Sequence, residues 1–537
     1  MTGPARWVKL RPVRLAFVYA LLTAALLHLS ACGGGGGAAA PAPVPGPAPD
    51  GSYTDPASYS AQPDASLAGA VEAAATSKHR ISVNGATIAY TATAGHLSAR
   101  NPVSGQAEAS FFYVAYTADN QPVATRPVTF FYNGGPGSAS VWLHLGSFGP
   151  KRLVTGVPST TGPRPFPLVD NESSLIDSSD LVFVNAVGTG LSEALAPYTN
   201  RSFWGVDADA AVFRDFVVRY LAVNNRGASP KFLFGESYGG PRTAVLAHLL
   251  ESAGVALDGL VLQSPALDYN SNCAGVSVSC EGYLPSYAAV GFNYALLLPM
   301  PGDLGVYMTQ MRDFSATRYG PAVRLYLNGA PVPPDLPPLL GGTTGLAASL
   351  WQSNFNLGPD IYRNRLLANT LLGRYDARMA APFGSALASE GDPSSTFITA
   401  SFASAINDYL RNTLRYTNAS SYVILSNAID SWDFSHDGNP LPDTVPDLGA
   451  ALAQNPRLRV LAMSGYDDLA TPFYQTERDL ARLAQNPRIV VRNYIGGHMT
   501  YLDDGSRPLQ KADLAAFYRG TLALRASRVA SNNGASQ

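Results

Sequence analysis

Ser237 stands in Gly235-Glu236-Ser237-Tyr238-Gly239, between a short apolar run from Phe232 to Phe234 and a stretch of helical pattern. Flanking glycines permit a strand-to-helix turn tight enough to hold the serine hydroxyl above the strand ends, at the start of a helix, which is one way a serine is presented as a nucleophile. A hydroxyl is a weak nucleophile at its free pKa, so such a serine needs a general base within hydrogen-bonding reach and a third group to orient that base. Attack on a carbonyl also needs donors for the oxyanion that forms. Asn133-Gly134-Gly135-Pro136-Gly137-Ser138, directly after the run Val128 to Tyr132, suits that task because its glycines let backbone N–H groups converge. One such donor is worth about 3–4 kcal/mol in the transition state.

These residues need a scaffold. Short runs with strand character lie at 80–94, a hairpin pattern turning at Asn84-Gly85, and at 111–117, 128–132, 181–184, 232–234, 257–262, 458–463 and 489–494. Several are continuously apolar, as strands covered on both faces are. Helical stretches such as 208–223 and 244–252 lie between them, so the pattern predicts an α/β class with a mostly parallel central sheet and helices on both sides. In the interval 263–456 the rhythm breaks. Apart from a possible strand at Tyr422-Val423-Ile424-Leu425, it reads as helical runs (360–372, 399–414) and Pro-rich loops around 332–339. We read it as a largely helical cap over the carboxyl edge of the sheet, where open α/β sheets keep their active sites.

A G-x-S-x-G turn in this setting is the nucleophile elbow of the α/β-hydrolase fold, whose triad runs in the order Ser, acid, His. Seven histidines can be tested against that order. His28 falls in an N-terminal leader, His79 and His96 precede the core sheet, His144 and His248 fall inside helices, and His436 sits in the insertion. His498 alone follows the last strand, in the loop Ile495-Gly496-Gly497-His498. The acid belongs after the penultimate strand, where Asp467 and Asp468 compete: one should point at the histidine, the other at solvent.

The first 31 residues carry four basic residues (Arg6, Lys9, Arg11, Arg14), then an uncharged apolar run from Leu15 to Leu29 and small residues. That is the pattern of a secretion signal, and a run of this length is short for a membrane span of about 20 residues. Leu29-Ser30-Ala31-Cys32 resembles the bacterial lipobox, which implies lipidation of Cys32, and Gly33 behind it resembles lipoproteins passed to the outer membrane. The expected localisation is therefore exported and lipid-anchored to the bacterial cell envelope. Removing the leader takes the formal charge from −2 to −6, which gives no electrostatic reason to expect a nucleic-acid partner. Of three cysteines, Cys273 and Cys280 remain, closely spaced in an exported chain, and predict a disulfide. No His or further Cys lies near them to complete a metal site. The expected organisation is a signal peptide at 1–31, a Gly/Ala/Pro-rich tether at 32–62, core at 63–262, helical cap at 263–456 and core again at 457–537.

Taken together, Asn133 to Ser138, Gly235 to Gly240, the Asp467-Asp468 segment and Gly497-His498-Met499 resemble the serine carboxypeptidases, over about residues 110–520. Val187-Gly188-Thr189-Gly190 is similar to a further motif of that family. Leu284-Pro285-Ser286-Tyr287 and Gly373-Arg374-Tyr375-Asp376-Ala377-Arg378 resemble its bacterial branch. The resemblance implies Ser237 as nucleophile, His498 as base, Asp468 rather than Asp467 as acid, and Gly135 and Tyr238 as oxyanion donors. It further implies Asn133, Gly134 and Glu236 as the residues that hold a peptide's terminal carboxylate. The implied reaction is removal of carboxy-terminal residues from peptides through an acyl-enzyme, with no metal or organic cofactor. An esterase or acyltransferase would use the same triad. Three positions depart from the eukaryotic pattern: Phe131 stands for Trp, Ser138 for a disulfide Cys, and Ser147 for a second glutamic acid of the carboxylate site. Loss of that second acid predicts that Glu236 gives up its proton at a lower pH than in the eukaryotic members.

Overall fold

The apolar runs assemble as parallel strands because each is buried on both faces and needs helices above and below. In the computed structural model, which describes residues 50–522 except 272 and 274–277, these are β5 (Val128–Tyr132), β6 (Asp180–Val184), β7 (Lys231–Glu236), β8 (Gly259–Gln263), β10 (Arg459–Gly465) and β11 (Ile489–Tyr494). They lie in the order β11-β10-β8-β7-β5-β6, all parallel. Antiparallel β4 (Ala107–Ala118), β3 (Ala86–Arg100) and β2 (Ala74–Val83) extend the sheet beyond β6. The hairpin turns at Asn84-Gly85, both at positive φ, as the Asn-Gly pair predicts. It is longer than its apolar run, so His79 and His96 lie within the sheet instead of before it.

Register brings the carboxyl ends of the parallel strands to one edge. Gly235 pairs with Tyr132 on one side and Leu262 on the other, Gln263 pairs with Met463, and Gly465 with Tyr494. Every loop that carries a candidate residue therefore leaves from the same side. One face of the sheet is covered by α2 (Val206–Val223) and α3 (Gly239–Ser252), which share an apolar core with the helix Val445–Gln454 through Phe213, Phe216, Leu246, Leu448 and Leu452. That helix packs with the core helices, so the cap ends before it and not at 456.

The cap is helical where its sequence predicts helices, with Leu284–Asn293, Leu304–Phe314 and Pro393–Asn412 among its elements. Two details differ. The run 360–372 divides into a helix, Pro359–Arg365, and a strand, Thr370–Leu372, that pairs with Ala380–Pro382, because Asn369 adopts a positive φ and turns the chain. Tyr422 to Leu425 forms no strand. Val423 and Leu425 make single bridges to Gly190 and Ser138, which ties the cap to two loops of the core. Cys273 and Cys280 form a disulfide at the start of the cap.

The tether expected at 32–62 needs correction at its end. Residues 32–49, with the leader and Cys32, lie outside the described residues. From Asp50 onward the chain is held: β1 (Tyr53–Asp55) runs parallel to β9 (Tyr416–Asn418), and the Ser60 amide donates to Glu193. The cause is Asp55, a buried carboxylate that the Gly/Ala/Pro composition around it obscures. Burial pushes its carboxyl up, but hydrogen bonds from His96, Tyr416, the Ala57 amide and Tyr59 outweigh burial and hold it far below the ordinary range. Replacing Asp55 with Ala leaves those donors unsatisfied. It should cost about 1–3 kcal/mol and open residues 50–62 to limited proteolysis that spares the native protein, which a timed digest read by mass spectrometry would check.

Candidate active site

β7 delivers Ser237 at a φ of 62°, the left-handed conformation of the tight turn, with its amide bonded to the Gln263 carbonyl. Gly235 is obligatory there: a Cβ would stand 2.1 Å from the Gly239 carbonyl oxygen. The turn feeds directly into α3, so Ser237 sits at the positive end of a helix dipole. Opposite it, the loop after β5 presses onto the turn so closely that a side chain at Gly134 would meet the Tyr238 nitrogen at 2.3 Å. The N–H groups of Gly135 and Tyr238 make no hydrogen bond among the described residues, so both remain available to an oxyanion beside Ser237.

Asp467 and Asp468 point in different directions, one to His498 as expected and the other not to solvent. Asp468, wholly buried, accepts from His498 Nδ1 at 2.8 Å and from Thr471 Oγ1 at 2.8 Å through one oxygen. Its other oxygen accepts the amides of Ala470 and Thr471 at 2.7 and 3.0 Å. The carboxylate is thus fully saturated and cannot rotate away from the imidazole. Burial pulls the His498 imidazole down, and the Asp468 charge and hydrogen bond overcome that and raise it, with a smaller push from Glu236. Asp467 does not face solvent. It is buried toward Arg378, 3.9 Å away, and burial lifts its carboxyl to about 7.

His498 is fixed from behind as well. Its amide donates to the Tyr375 carbonyl at 2.6 Å, and its carbonyl accepts from Ser264 Oγ at 2.7 Å. The Tyr375 ring lies 5.1 Å from the imidazole, and the Ala377 amide bonds the Asp467 carbonyl. The cap run 373–378 therefore braces the loops that carry Asp468 and His498. Arg374 and Tyr375 of this run also line a cavity of about 580 Å³, together with Tyr283, Arg363 and Asp392 among others. The remaining described histidines are engaged elsewhere: His79 with Ser77, His96 with Asp55, His144 with Tyr116, His436 between Asp207 and Asp447, and His248 on Asp447.

Glu236, beside the nucleophile, is buried. Asn133 Nδ2 donates to its Oε1 at 2.8 Å, while Asn133 Oδ1 accepts the Leu143 amide at 3.0 Å and so fixes which way the amide points. Burial raises the Glu236 carboxyl to about 7, against the opposing pull of His498 and Tyr501, with Asp468 pushing it further up and Asn133 down. Burial thus supplies an upward push that requires no second acid. Ser147 takes no part: its hydroxyl is bonded to the Leu143 carbonyl of its own helix. Phe131 stacks between Phe183 and Phe234, and Ser138 Oγ accepts from Trp142.

Thr471 and Tyr501 were not evident as site residues in the sequence. Thr471 had a signal, since a Thr three residues after an Asp ahead of a helix can close a local turn on it. Tyr501, three residues beyond His498, reaches Glu236 only through the packing of a short helical turn, Thr500–Leu502.

Residues 85–276 match the model of the serine carboxypeptidase family, Peptidase S10. The serine carboxypeptidase-like 33 protein of Arabidopsis thaliana is 28% identical over 196 residues, which is 34% of this chain and 38% of that protein. The chain thus spans well under half the length of the curated relative it matches. Among solved structures, the prohormone-processing carboxypeptidase Kex1(delta)p of Saccharomyces cerevisiae aligns over 80% of this chain and 91% of its own at 16% identity and a TM-score of 0.49. A soluble variant of monoglyceride lipase from the same yeast aligns over 77% and 92% at 12% identity and a TM-score of 0.36. Asp468 and His498 lie outside the matched segment. Residues 85–276, which hold the Gly-rich loop after β5 and the turn at Ser237, are thus similar to the serine carboxypeptidase family, and the chain as a whole has an α/β-hydrolase fold.

Proposed function

We propose that the protein is a serine carboxypeptidase that cleaves the last peptide bond of peptides through an acyl-enzyme. Ser237 attacks the scissile carbonyl, and His498 takes its proton and returns it to the leaving amine. Asp468 holds the imidazole tautomer with Nδ1–H toward itself, and the Gly135 and Tyr238 amides receive the oxyanion. The observation that carries this reading over an esterase is Glu236: a buried carboxyl next to the nucleophile, bonded to Asn133 and lifted to about 7. A group that keeps its proton to near neutrality can donate to a peptide's terminal carboxylate, with Gly134 adding a backbone contact, and an uncharged ester end gains nothing from it. The chemistry calls on no metal or organic cofactor. The reading extends to an exported enzyme held in the cell envelope by a lipid on Cys32.

The assignment of the acid is tested by two isosteric changes. Asp468→Asn presents the wrong imidazole tautomer and should lower turnover by about 10⁴. Asp467→Asn replaces a carboxyl already inclined to hold a proton and should leave kcat within a few-fold; the reverse order would put the acid at 467.

The pH dependence follows from the sign of the Glu236 shift. Below about 7 the carboxyl is protonated and binds a terminal carboxylate; above it, two negative charges oppose one another. KM for blocked dipeptides should rise as pH passes through that range, whereas KM for an ester with no free carboxylate should not. Glu236→Gln keeps a donor at every pH and should flatten the peptide profile. Matching profiles for peptide and ester in both proteins would favour the esterase. Anchoring has a separate check: Cys32→Ser should move active enzyme from the membrane fraction to the soluble one.

A further inference from the structure

Glu236 has one oxygen with no hydrogen-bond partner, Oε2, and the Tyr501 hydroxyl is likewise buried without one. The two groups act on each other at close range: beyond the larger effect of burial, the Glu236 charge makes the Tyr501 phenol still harder to ionise, and the phenol favours the ionised form of Glu236. Neither atom has another partner, and an unpaired buried donor or acceptor is costly, so the phenol O–H and the free carboxyl oxygen are left as partners for each other. The route by which Tyr501 arrives is specific. Its ring edge fills the space left by Gly146, where a Cβ would stand 3.0 Å from Cε2. Gly146 ends the helix α1 (Val141–Gly146), and Ser147 follows it with its hydroxyl turned back to Leu143. The phenol thus enters the Asn133–Glu236 pair from the turn at Gly146-Ser147, where the side chain of Ser147 itself contributes nothing to the pair.

We propose that Tyr501 is a positioning residue for Glu236: its hydroxyl fixes the orientation of the carboxyl and sets the pH above which Glu236 ceases to receive a peptide's terminal carboxylate. This rests on the carboxypeptidase reading above. The groups that face Glu236 are Asp468 from the loop after β10, His498 and Tyr501 from the loop after β11, Asn133 from the loop after β5, and Tyr375 from the cap, whose own ionisation feels the Glu236 charge. Among them Tyr501 is a permanent donor, because burial keeps its phenol protonated far beyond neutral pH. Its O–H stabilises the carboxylate, and without it the proton on Glu236 is retained longer.

The test is KM against pH for a blocked dipeptide and for the matching ester, in wild type, Tyr501→Phe and Gly146→Ala, with a thermal melt to establish folding. Tyr501→Phe should move the rise in peptide KM upward by about one pH unit and leave the ester untouched. Gly146→Ala, which displaces the ring, should move it in the same direction and serves alone if Tyr501→Phe does not fold. A peptide KM that is higher at every pH with an unmoved midpoint would overturn the proposal, and so would an equal loss on peptide and ester. If wild type shows no pH-dependent KM and Glu236→Gln changes nothing, the carboxypeptidase reading falls and this proposal with it. An unmoved midpoint beside a pH-dependent wild type overturns the role of Tyr501 alone.

Discussion

The active edge of this protein is organised around one buried cation. Arg242, in the first turn of α3 and with no solvent exposure, donates to both oxygens of Asp209 on α2 at 2.6 and 3.2 Å and to the Asn133 carbonyl at 2.6 Å. Its guanidinium lies over the rings of Phe213, Tyr132 and Tyr238 at 4.5, 5.5 and 5.3 Å. A single planar group therefore locks α3, α2 and the loop after β5 in one geometry, which a lysine could not do. Breaking such a pair by removing one partner typically costs about 3–5 kcal/mol. The greater consequence is positional, because Asn133 orients Glu236 and the residue after Gly134 is the proposed oxyanion donor. Loss of Arg242 would release both from the turn that holds Ser237.

The second constraint comes from the cap. Its segment 373–378 donates to and accepts from the loops of Asp468 and His498 through backbone groups, and Arg378 joins Asp376, Asp467 and Asp503 into one buried charged cluster. On the other side, Ser426 and Leu425 bridge to Gly137 and Ser138, and Trp432 packs 5.2 Å from the Tyr238 ring. The cap accordingly supports the candidate site on both flanks. The sheet alone would present Ser237 and leave His498 and the loop after β5 under-determined.

Much of this was legible in the sequence because it rests on short-range chemistry. Continuous apolar runs predicted the parallel strands, the Gly-x-Ser-x-Gly turn predicted where the serine would be held, and elimination by position isolated His498. What was hidden depended on tertiary packing. Composition concealed the docking of residues 50–62, since the buried Asp55, with Tyr53 and Tyr59 beside it, holds a segment that continues a run rich in Gly, Ala, Pro and Ser. Adjacent Asp467 and Asp468 could not be told apart by spacing, and the expectation that one would face water failed because Arg378, nearly a hundred residues away, buries it. Tyr501 carried no motif at all: its role depends on a glycine at 146 that leaves room for its ring.

The central claim is that the site recognises a free terminal carboxylate through Glu236 and Asn133. The most direct measurement compares kcat/KM for an N-blocked dipeptide with that for the same dipeptide ending in a carboxamide, at a pH where Glu236 holds its proton. The account predicts a preference of at least about 100-fold for the free acid, since the amide leaves buried donors unmatched. Equal rates for acid and amide would contradict it.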